Sequence, residues 1–449
     1  MLVKLAVRNV LKNLNFYALY LFTLVIGMGV FYLFSAITAQ EKVMQIDSVT
    51  QEMFIILDES ISIASVFTMT VFLFLILYIN ICFLKDRKKE FAIYLHCGIT
   101  PGKLVNLIVS ETSLICGLGF LGGIGLGIIA SQFMSAFTAN VFNTELTCIA
   151  FVFSISALEK SLIFLCLVVT ATFLFTTIYI RRKTLQSLVE DSALSNRWIL
   201  PSNRYAVIMF IGSIILQIVV QCILINIACS DNFRTSAVAI IIIFLAIMFF
   251  YISFIPALCC MLNRNNMVKS HFFLLRQLRN QIARNFFALS MATIFFIVAF
   301  FAIYNGYATV SGNIKGVSTA TRAIATILSL YLGVVLLLAG SVVVAVQQFM
   351  YISDYKMQYS LLLKIGTTEK ALYKILLLQM GIYFAIPMVL AMGNLIAIIN
   401  ILQLFPSFHG TKPTMQYFLL ITLFALVIYG IYFILTHRIC KKLICEQRE

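Results

Sequence analysis

The chain has 449 residues, of which 62% are hydrophobic and only 11% charged, with a formal net charge of +15. Soluble domains run at roughly 45–50% apolar and about 25% charged, so a water-soluble fold of this length lacks the polar side chains to cover its surface. The composition excludes such a fold, and the excess of Lys and Arg points to basic loops against anionic lipid rather than to nucleic acid.

The N-terminal stretch carries Arg8-Asn9 and Lys12-Asn13 ahead of an apolar run from about 16 to 38. That run is longer than the ~7–15 residues of a signal-peptide core, so it reads as a retained spanning helix. The following connection, about 39–59, holds Glu41, Asp47, Glu52, Asp58 and Glu59 against Lys42 alone. This acidic outer loop is either a collar that attracts cationic peptides or a solvated connection. A second span is expected over 60–84, and after it comes the charged segment Asp86-Arg-Lys-Lys-Glu-Phe-Ala-Ile-Tyr-Leu-His-Cys-Gly-Ile-Thr100. The third span, 106–137, contains Gly119, Gly123 and Gly127 at intervals of four, a ridge that lets a neighbouring helix approach closely. Glu111 lies near its inner end. Further spans are expected over 161–180, 205–229, 236–262, 286–307, 322–350, 372–401 and 416–436, with Pro256 and Pro387 as candidate kinks. Arg279-Asn280 and Arg284-Asn285 precede the seventh span as Arg8 and Lys12 precede the first. Both basic stretches suit an amphipathic helix along the inner interface.

With the N-terminus inside, the inner segments hold 25 Lys and Arg and the opposite loops hold five. This asymmetry orients the chain with both termini cytoplasmic. The expected fold is all-α: a polytopic membrane protein of about ten transmembrane helices. No ionisable group stands near the centre of an expected span, which argues against an ion-coupled pump. Most cysteines lie in apolar runs as small hydrophobes, and no Cys/His spacing suits a metal. Gly98-Ile-Thr-Pro-Gly-Lys-Leu104 imitates a phosphate loop. However, it is one residue short, and Pro101 removes an N–H that would cradle phosphate. The chain is therefore expected to bind no cofactor itself and to perform no catalysis.

The segment after span two recurs after span eight. Asp86, Lys88, Leu95, Gly98, Thr100 and Leu104 match Asp354, Lys356, Leu363, Gly366, Thr368 and Leu372 at a constant offset of 268, and Glu90/Gln358, Phe91/Tyr359 and Glu111/Gln379 are near matches. Each copy reads as a helix, a glycine turn and a second helix. Gly98 and Gly366 suit a C-terminal position of positive φ, and Thr100 and Thr368 suit the N-cap of the next helix. The arrangement is 4+2+4: a first four-helix unit over 1–184 with its N-terminal interfacial helix, a two-helix insertion over 185–270, and a second four-helix unit over 271–449.

Leu5-Ala-Val-Arg-Asn-Val-Leu-Lys-Asn13 resembles the N-terminal helix of FtsX-like permeases, and Asp86-Arg-Lys-Lys-Glu90 with Leu95-His-Cys-Gly-Ile-Thr100 resembles that family's segment after span two. The ten-span plan resembles the bacitracin-resistance, BceB-like type. The resemblance implies an ABC transporter permease in the bacterial plasma membrane, paired with two copies of an ATPase that binds ATP and Mg. It would convert hydrolysis into helix motion (mechanotransmission) and act on antimicrobial peptides or lipid-linked cell-envelope substrates. Some such permeases report to a histidine kinase, so a non-transporting signalling subunit, controlling a kinase or a cell-wall hydrolase, is the alternative. By resemblance Glu90, Gly98 and Thr100, with Gln358, Gly366 and Thr368, sit near the ATPase-docking surface. The chain departs from the pattern between spans seven and eight, where those permeases carry a large extracellular domain and this sequence has a short connection. Either a second permease or a separate extracellular-domain subunit supplies it, or the substrate is met in the bilayer or at the acidic first loop.

Overall fold

The computed structural model describes residues 7–10, 14–37, 48–142, 153–182, 272–310, 319–366, 368–402 and 415–445, and the isolated positions 208, 211, 212, 215 and 219. Among the described residues every regular element is helical. Residues 7–10 form a short helical piece. The long elements are α1 (Leu14–Ser35), α2 (Ser48–Asp86), α3 (Lys88–His96), α4 (Pro101–Phe142), α5 (Ile155–Arg182), α6 (Phe272–Val310), α7 (Thr319–Lys364), α8 (Glu369–Leu402) and α9 (Met415–Cys445). All but α3 are long and apolar enough to cross a membrane, which makes eight candidate spans. They coincide with eight of the ten spans read from the sequence. The expected spans 205–229 and 236–262 lie outside the described residues, apart from the five isolated positions.

Several helices overrun the bilayer. At roughly 1.5 Å per residue, the 46 residues of α7 reach about 69 Å against a hydrocarbon core of about 30 Å. Helix α2 likewise begins at Ser48, so Glu52, Asp58 and Glu59, read from the sequence as loop residues, are helical. Apolar residues on either side, 53–57 before Asp58 and Ile61 onward after Glu59, continue the helix through them. Helix α6 breaks at Asn285 (φ −113°, ψ 19°), which separates its basic start from its apolar remainder. Helix α8 continues through Pro387 as one element, and Pro256 lies outside the described residues.

The chain divides into two compact units, one of Met1–Ser195 with Val317–Val335, the other of Asn196–Gly316 with Leu336–Glu449. In the first, α1 packs on α4 along the glycine ridge. A Cβ built at Gly119 would stand 2.6 Å from Leu24 Cβ, at Gly123 2.5 Å from Met28 Cβ, and at Gly127 2.7 Å from Tyr32 Cδ1. The missing side chains let the two backbones meet. Asn80 of α2 donates to Thr176 of α5 at 3.2 Å, and the backbone N–H of Ser154, ahead of α5, donates to Tyr32 of α1. The first turns of α7 join this unit through Tyr331, stacked 4.3 Å from Phe34. In the second unit Tyr429 of α9 donates to the Phe384 carbonyl of α8 at 2.8 Å and meets the Phe296 ring of α6 edge-on. Gly340 of α7 lies against Phe296, where a Cβ would be 3.2 Å from the ring. Exposed Leu162, Ile163, Leu167, Leu174 and Ile178 on α5 are the apolar surface that lipid requires.

Candidate functional site

The repeated segments form two elbows, each a helix end, a glycine turn and a new helix. In the first, Gly98 N–H donates to the Leu95 carbonyl at 3.1 Å and Ile99 N–H to the Tyr94 carbonyl at 3.1 Å. This pair of bonds is a Schellman motif with Gly98 at its left-handed position, φ 86°. Ile99 and Tyr94, which the motif brings together, pack on a cluster of Leu84, Phe91, Leu104, Val105, Ile108 and Ile180. Thr100 closes the turn, its carbonyl accepting Leu104 N–H at 3.1 Å, and Pro101 opens α4 where a missing N–H costs nothing. The second elbow repeats the plan: Gly366 has φ 101°, and the Thr368 carbonyl accepts Leu372 N–H at 3.1 Å. Both glycines have the positive φ expected of them. The copies differ in one respect. The first has a break at Arg87 (φ −88°, ψ 7°) between α2 and α3, whereas α7 runs unbroken to Lys364.

Beneath the first elbow lies a charged core that the sequence reading missed. Glu111 is fully buried, in the third turn of α4. Its carboxylate pairs with the Arg87 guanidinium and accepts hydrogen bonds from Asn9 Nδ2 at 2.8 Å and the Tyr17 hydroxyl at 2.9 Å. Arg87 also donates to Tyr17 and, through Nε, to Glu90 at 2.9 Å, and its guanidinium lies 5.5 Å from the centre of the Phe91 ring. Burial alone lowers the affinity of Arg87 for its proton; Tyr17 and Glu111 outweigh it and hold the guanidinium above its ordinary pKa. Glu90, half-exposed, is thus tied through Arg87 to Glu111 and on to the segment before α1.

The second elbow rests on a neutral core. Tyr359 lies 2.8 Å from Gln379 Oε1 and 3.0 Å from Gln277 Oε1, and Gln379 Nε2 donates to Gln281 Oε1 at 3.0 Å. Gln281 in turn donates to Gln348, and the Tyr351 hydroxyl to the Gln277 carbonyl at 3.0 Å. All six glutamine and tyrosine side chains of this network, Gln277, Gln281, Gln348, Tyr351, Tyr359 and Gln379, are buried. Gln277 stands 268 positions after Asn9, so both N-terminal segments place an amide in the polar core at the register of the elbow repeat. The paired Arg-Asn steps at Arg279 and Arg284 had suggested a slightly different register.

The remaining expected site residues are dispersed. Gln358 is exposed on the last turns of α7, and Gly366 and Thr368 are exposed at its elbow. Arg8 is exposed and Lys12 lies outside the described residues. Arg279 is partly buried. Arg284 is packed on α7, paired with Asp354 at 2.9 Å and 5.2 Å from the Tyr351 ring centre. Glu41 and Asp47 lie outside the described residues, and the side chain of Glu52 is not among those described. Asp58 and Glu59 are exposed, Asp58 standing 4.0 Å from Lys160.

Comparison with known proteins places the first elbow in a recognised domain. Residues 62–187, from α2 beyond the end of α5, match the FtsX-like permease C-terminal family. The bacitracin export permease protein BceB of Halalkalibacterium halodurans is 24% identical over 192 residues, 42% of this chain and 28% of that protein. BceB of Bacillus subtilis is 25% identical over 127 residues, 28% of this chain and 18% of that protein. The ABC transporter permease protein YxdM of Bacillus subtilis is 32% identical over 121 residues, 27% of this chain and 19% of that protein. The matched stretches thus span less than a third of each relative. The chain is a multi-pass cell-membrane protein that carries an FtsX-like permease domain, and its relatives, at low identity, are BceB-type and other ABC permeases.

Proposed function

We propose that the chain is the membrane permease subunit of an ABC transporter whose ATP hydrolysis resides on a separate subunit. The observation that carries this reading is the recurrence of the FtsX-like elbow. The first copy lies inside the matched domain, and the second repeats its glycine turn and helix start 268 residues later. Two matched elbows give two equivalent grips, which suits two copies of an ATPase. Each elbow presents an exposed apolar side chain at the same repeat position, Ile93 (61% exposed) and Leu361 (54%), with Ile365 beside the second. Exposed apolar groups on elbows whose sequence also carries Lys88, Lys103, Lys364 and Lys370 suit a protein partner rather than lipid tails. In this reading both termini and both elbows face the cytoplasm, and Glu90, Gly98, Thr100, Gln358, Gly366 and Thr368 belong to the grip. ATP and Mg sit on the partner.

The relatives' names support the substrate class proposed. Two of them are bacitracin export permeases, so the transporter acts on antimicrobial peptides or lipid-linked envelope precursors. Helices α6 and α7 are separated only by residues 311–318, so capture falls to the bilayer face, the acidic start of α2 or a further subunit. Affinity purification of the tagged full chain from its native host tests the proposal. An ATPase is expected to co-purify, its hydrolysis stimulated by cationic peptide. Full activity with no nucleotide-hydrolysing companion overturns the reading. A complex that alters histidine-kinase output yet confers no peptide protection selects the signalling alternative.

A further inference from the structure

The polar cores connect each elbow to the segment ahead of its unit's first spanning helix, by different chemistry. In the first unit the path runs from Glu90 on the elbow through Arg87 to Glu111 and then to Asn9 and Tyr17. In the second it runs from Tyr359 to Gln379 and Gln277, and from Gln379 through Gln281 to Gln348.

The second path has a direction. A phenol carries one proton, so Tyr359 donates to only one of the two amide oxygens beside it. Among the described residues the buried Gln277 Nε2 has no acceptor. Turning the Gln277 amide end for end, which its shape allows, leaves Tyr359 one acceptor to serve and gives the Gln277 nitrogen an acceptor, while the Gln277 oxygen takes the place without a described partner. The Gln277 amide then donates to the Tyr359 oxygen, and Tyr359 donates to Gln379. Every bond of the chain Gln277, Tyr359, Gln379, Gln281, Gln348 points the same way, and each polarises the next.

We propose that these cores are positioning joints that set the angle of each elbow against its N-terminal segment: an ion pair in the first unit, a one-way chain of neutral hydrogen bonds in the second. The positioning residues are Arg87 and Glu111 in one and Tyr359 and Gln379 in the other. The joints share the register positions Asn9/Gln277 and Glu111/Gln379 and differ in charge. Position 355, which answers to Arg87, is Tyr, and Gln379 correspondingly carries no charge. Their role in transport rests on the proposal that the elbows meet an ATPase; their role in setting the elbow does not.

The test transplants the Gln277–Tyr359–Gln379 part of the neutral joint into the first unit of the full chain with Asn9→Gln, Arg87→Tyr, Phe91→Tyr and Glu111→Gln, and compares it with Glu111→Gln alone. Spin labels on Cys97 and on Arg8→Cys, with the other cysteines replaced, report the distance between elbow and N-terminal segment in lipid nanodiscs without any partner. Glu111→Gln is expected to broaden that distribution, and the transplant to restore the unaltered width. In the complex with the ATPase, stimulated hydrolysis is expected to fall by more than half in Glu111→Gln and to recover in the transplant. An unaltered distance distribution in Glu111→Gln overturns the joint, as does a transplant that regains thermal stability but not the distance. If Glu111→Gln fails to fold, a folded transplant of normal width supports the joint, and a transplant that also fails to fold overturns it. Absence of a co-purifying ATPase counts against the transporter reading alone, since the distances decide the joint.

Discussion

Glu111 and Gln379 are each the eleventh residue of the helix that follows an elbow, both buried, 268 residues apart. One is a carboxylate paired with Arg87; the other is an amide bonded to Tyr359 and Gln281. The difference is compensated within each unit. A buried carboxylate needs a counter-charge, and Arg87 turns inward to supply it. A buried amide needs only a donor and an acceptor, and a tyrosine and a glutamine suffice.

That compensation makes Arg87 and Glu111 energetically inseparable. Arg87→Ala leaves Glu111 buried without its counter-charge at a cost of about 3–5 kcal/mol, whereas Glu111→Gln leaves Arg87 the half-exposed Glu90 and is expected to cost less. The double variant removes both charges and is expected to lose much less than the sum of the single losses, with a coupling of about 1–3 kcal/mol. Denaturant or thermal unfolding of the solubilised full chain measures the cycle. Additive losses would show that the two charges do not depend on each other.

Much of this architecture was legible in the sequence, because lipid leaves the backbone few options. An apolar run of about 20 residues must be helical to satisfy its own N–H and C=O groups, so eight spans follow directly from composition. The elbows were legible through glycine, since a helix that ends and restarts within a few residues favours a position of positive φ, and Gly98 and Gly366 stand 268 residues apart. The polar cores were not. Glu111 reads as one acid near the end of a span, and nothing in its neighbours announces Arg87, Tyr17 and Asn9, which lie 24, 94 and 102 residues away. The helical start of α2 was missed for a related reason: five acids look like a solvated loop, although three of them, Glu52, Asp58 and Glu59, lie in a helix that begins at Ser48 and runs on into the apolar span.

The elbow glycines are held by backbone conformation alone. A Cβ at Gly98 or Gly366 meets nothing within 4 Å, yet both have positive φ. Gly98→Ala is therefore expected to cost about 1–2 kcal/mol through the left-handed conformation, and Gly98→Asn less, because asparagine tolerates that region. Unfolding measurements on the two variants decide this. If Asn and Ala cost the same, conformation is not what selects glycine there. Gly98→Val and Gly366→Val, bulkier and β-branched, are expected to reduce ATPase co-purification while leaving membrane insertion intact.

The acidic start of α2 contributes little to stability. Asp58 and Lys160 stand 4.0 Å apart with side chains 53% and 29% exposed, and such pairs are worth about 0–1 kcal/mol. Replacing Glu41, Asp47, Glu52, Asp58 and Glu59 by Asn should leave the unfolding transition unchanged. If these acids gather cationic peptide, the variant responds at higher peptide concentration and the difference narrows with added salt, which screens the attraction. An unaltered dose response assigns the stretch to solvation alone.

The glycine ridge of α4 offers the sharpest contrast, because neighbouring glycines on one helix face opposite surroundings. A Cβ at Gly123 would lie 2.5 Å from Met28 Cβ, 2.9 Å from the Val25 carbonyl oxygen and 3.0 Å from Gly29 N; one at Gly125 meets nothing within 4 Å. Two of the three obstacles at Gly123 are backbone atoms, which cannot rotate away, so α1 itself must retreat. Overpacking of this kind costs about 1–3 kcal/mol, and Gly123→Ala is expected to fall in that range, with Gly123→Leu above it. Gly125→Ala has no such obstacle and removes backbone freedom from the unfolded chain, so it should be neutral or stabilising by up to about 1 kcal/mol. Unfolding of the two alanine variants side by side separates packing from propensity. If Gly123→Ala proves as harmless as Gly125→Ala, α1 does not sit against α4 at backbone distance, and the close approach of the two helices is wrong.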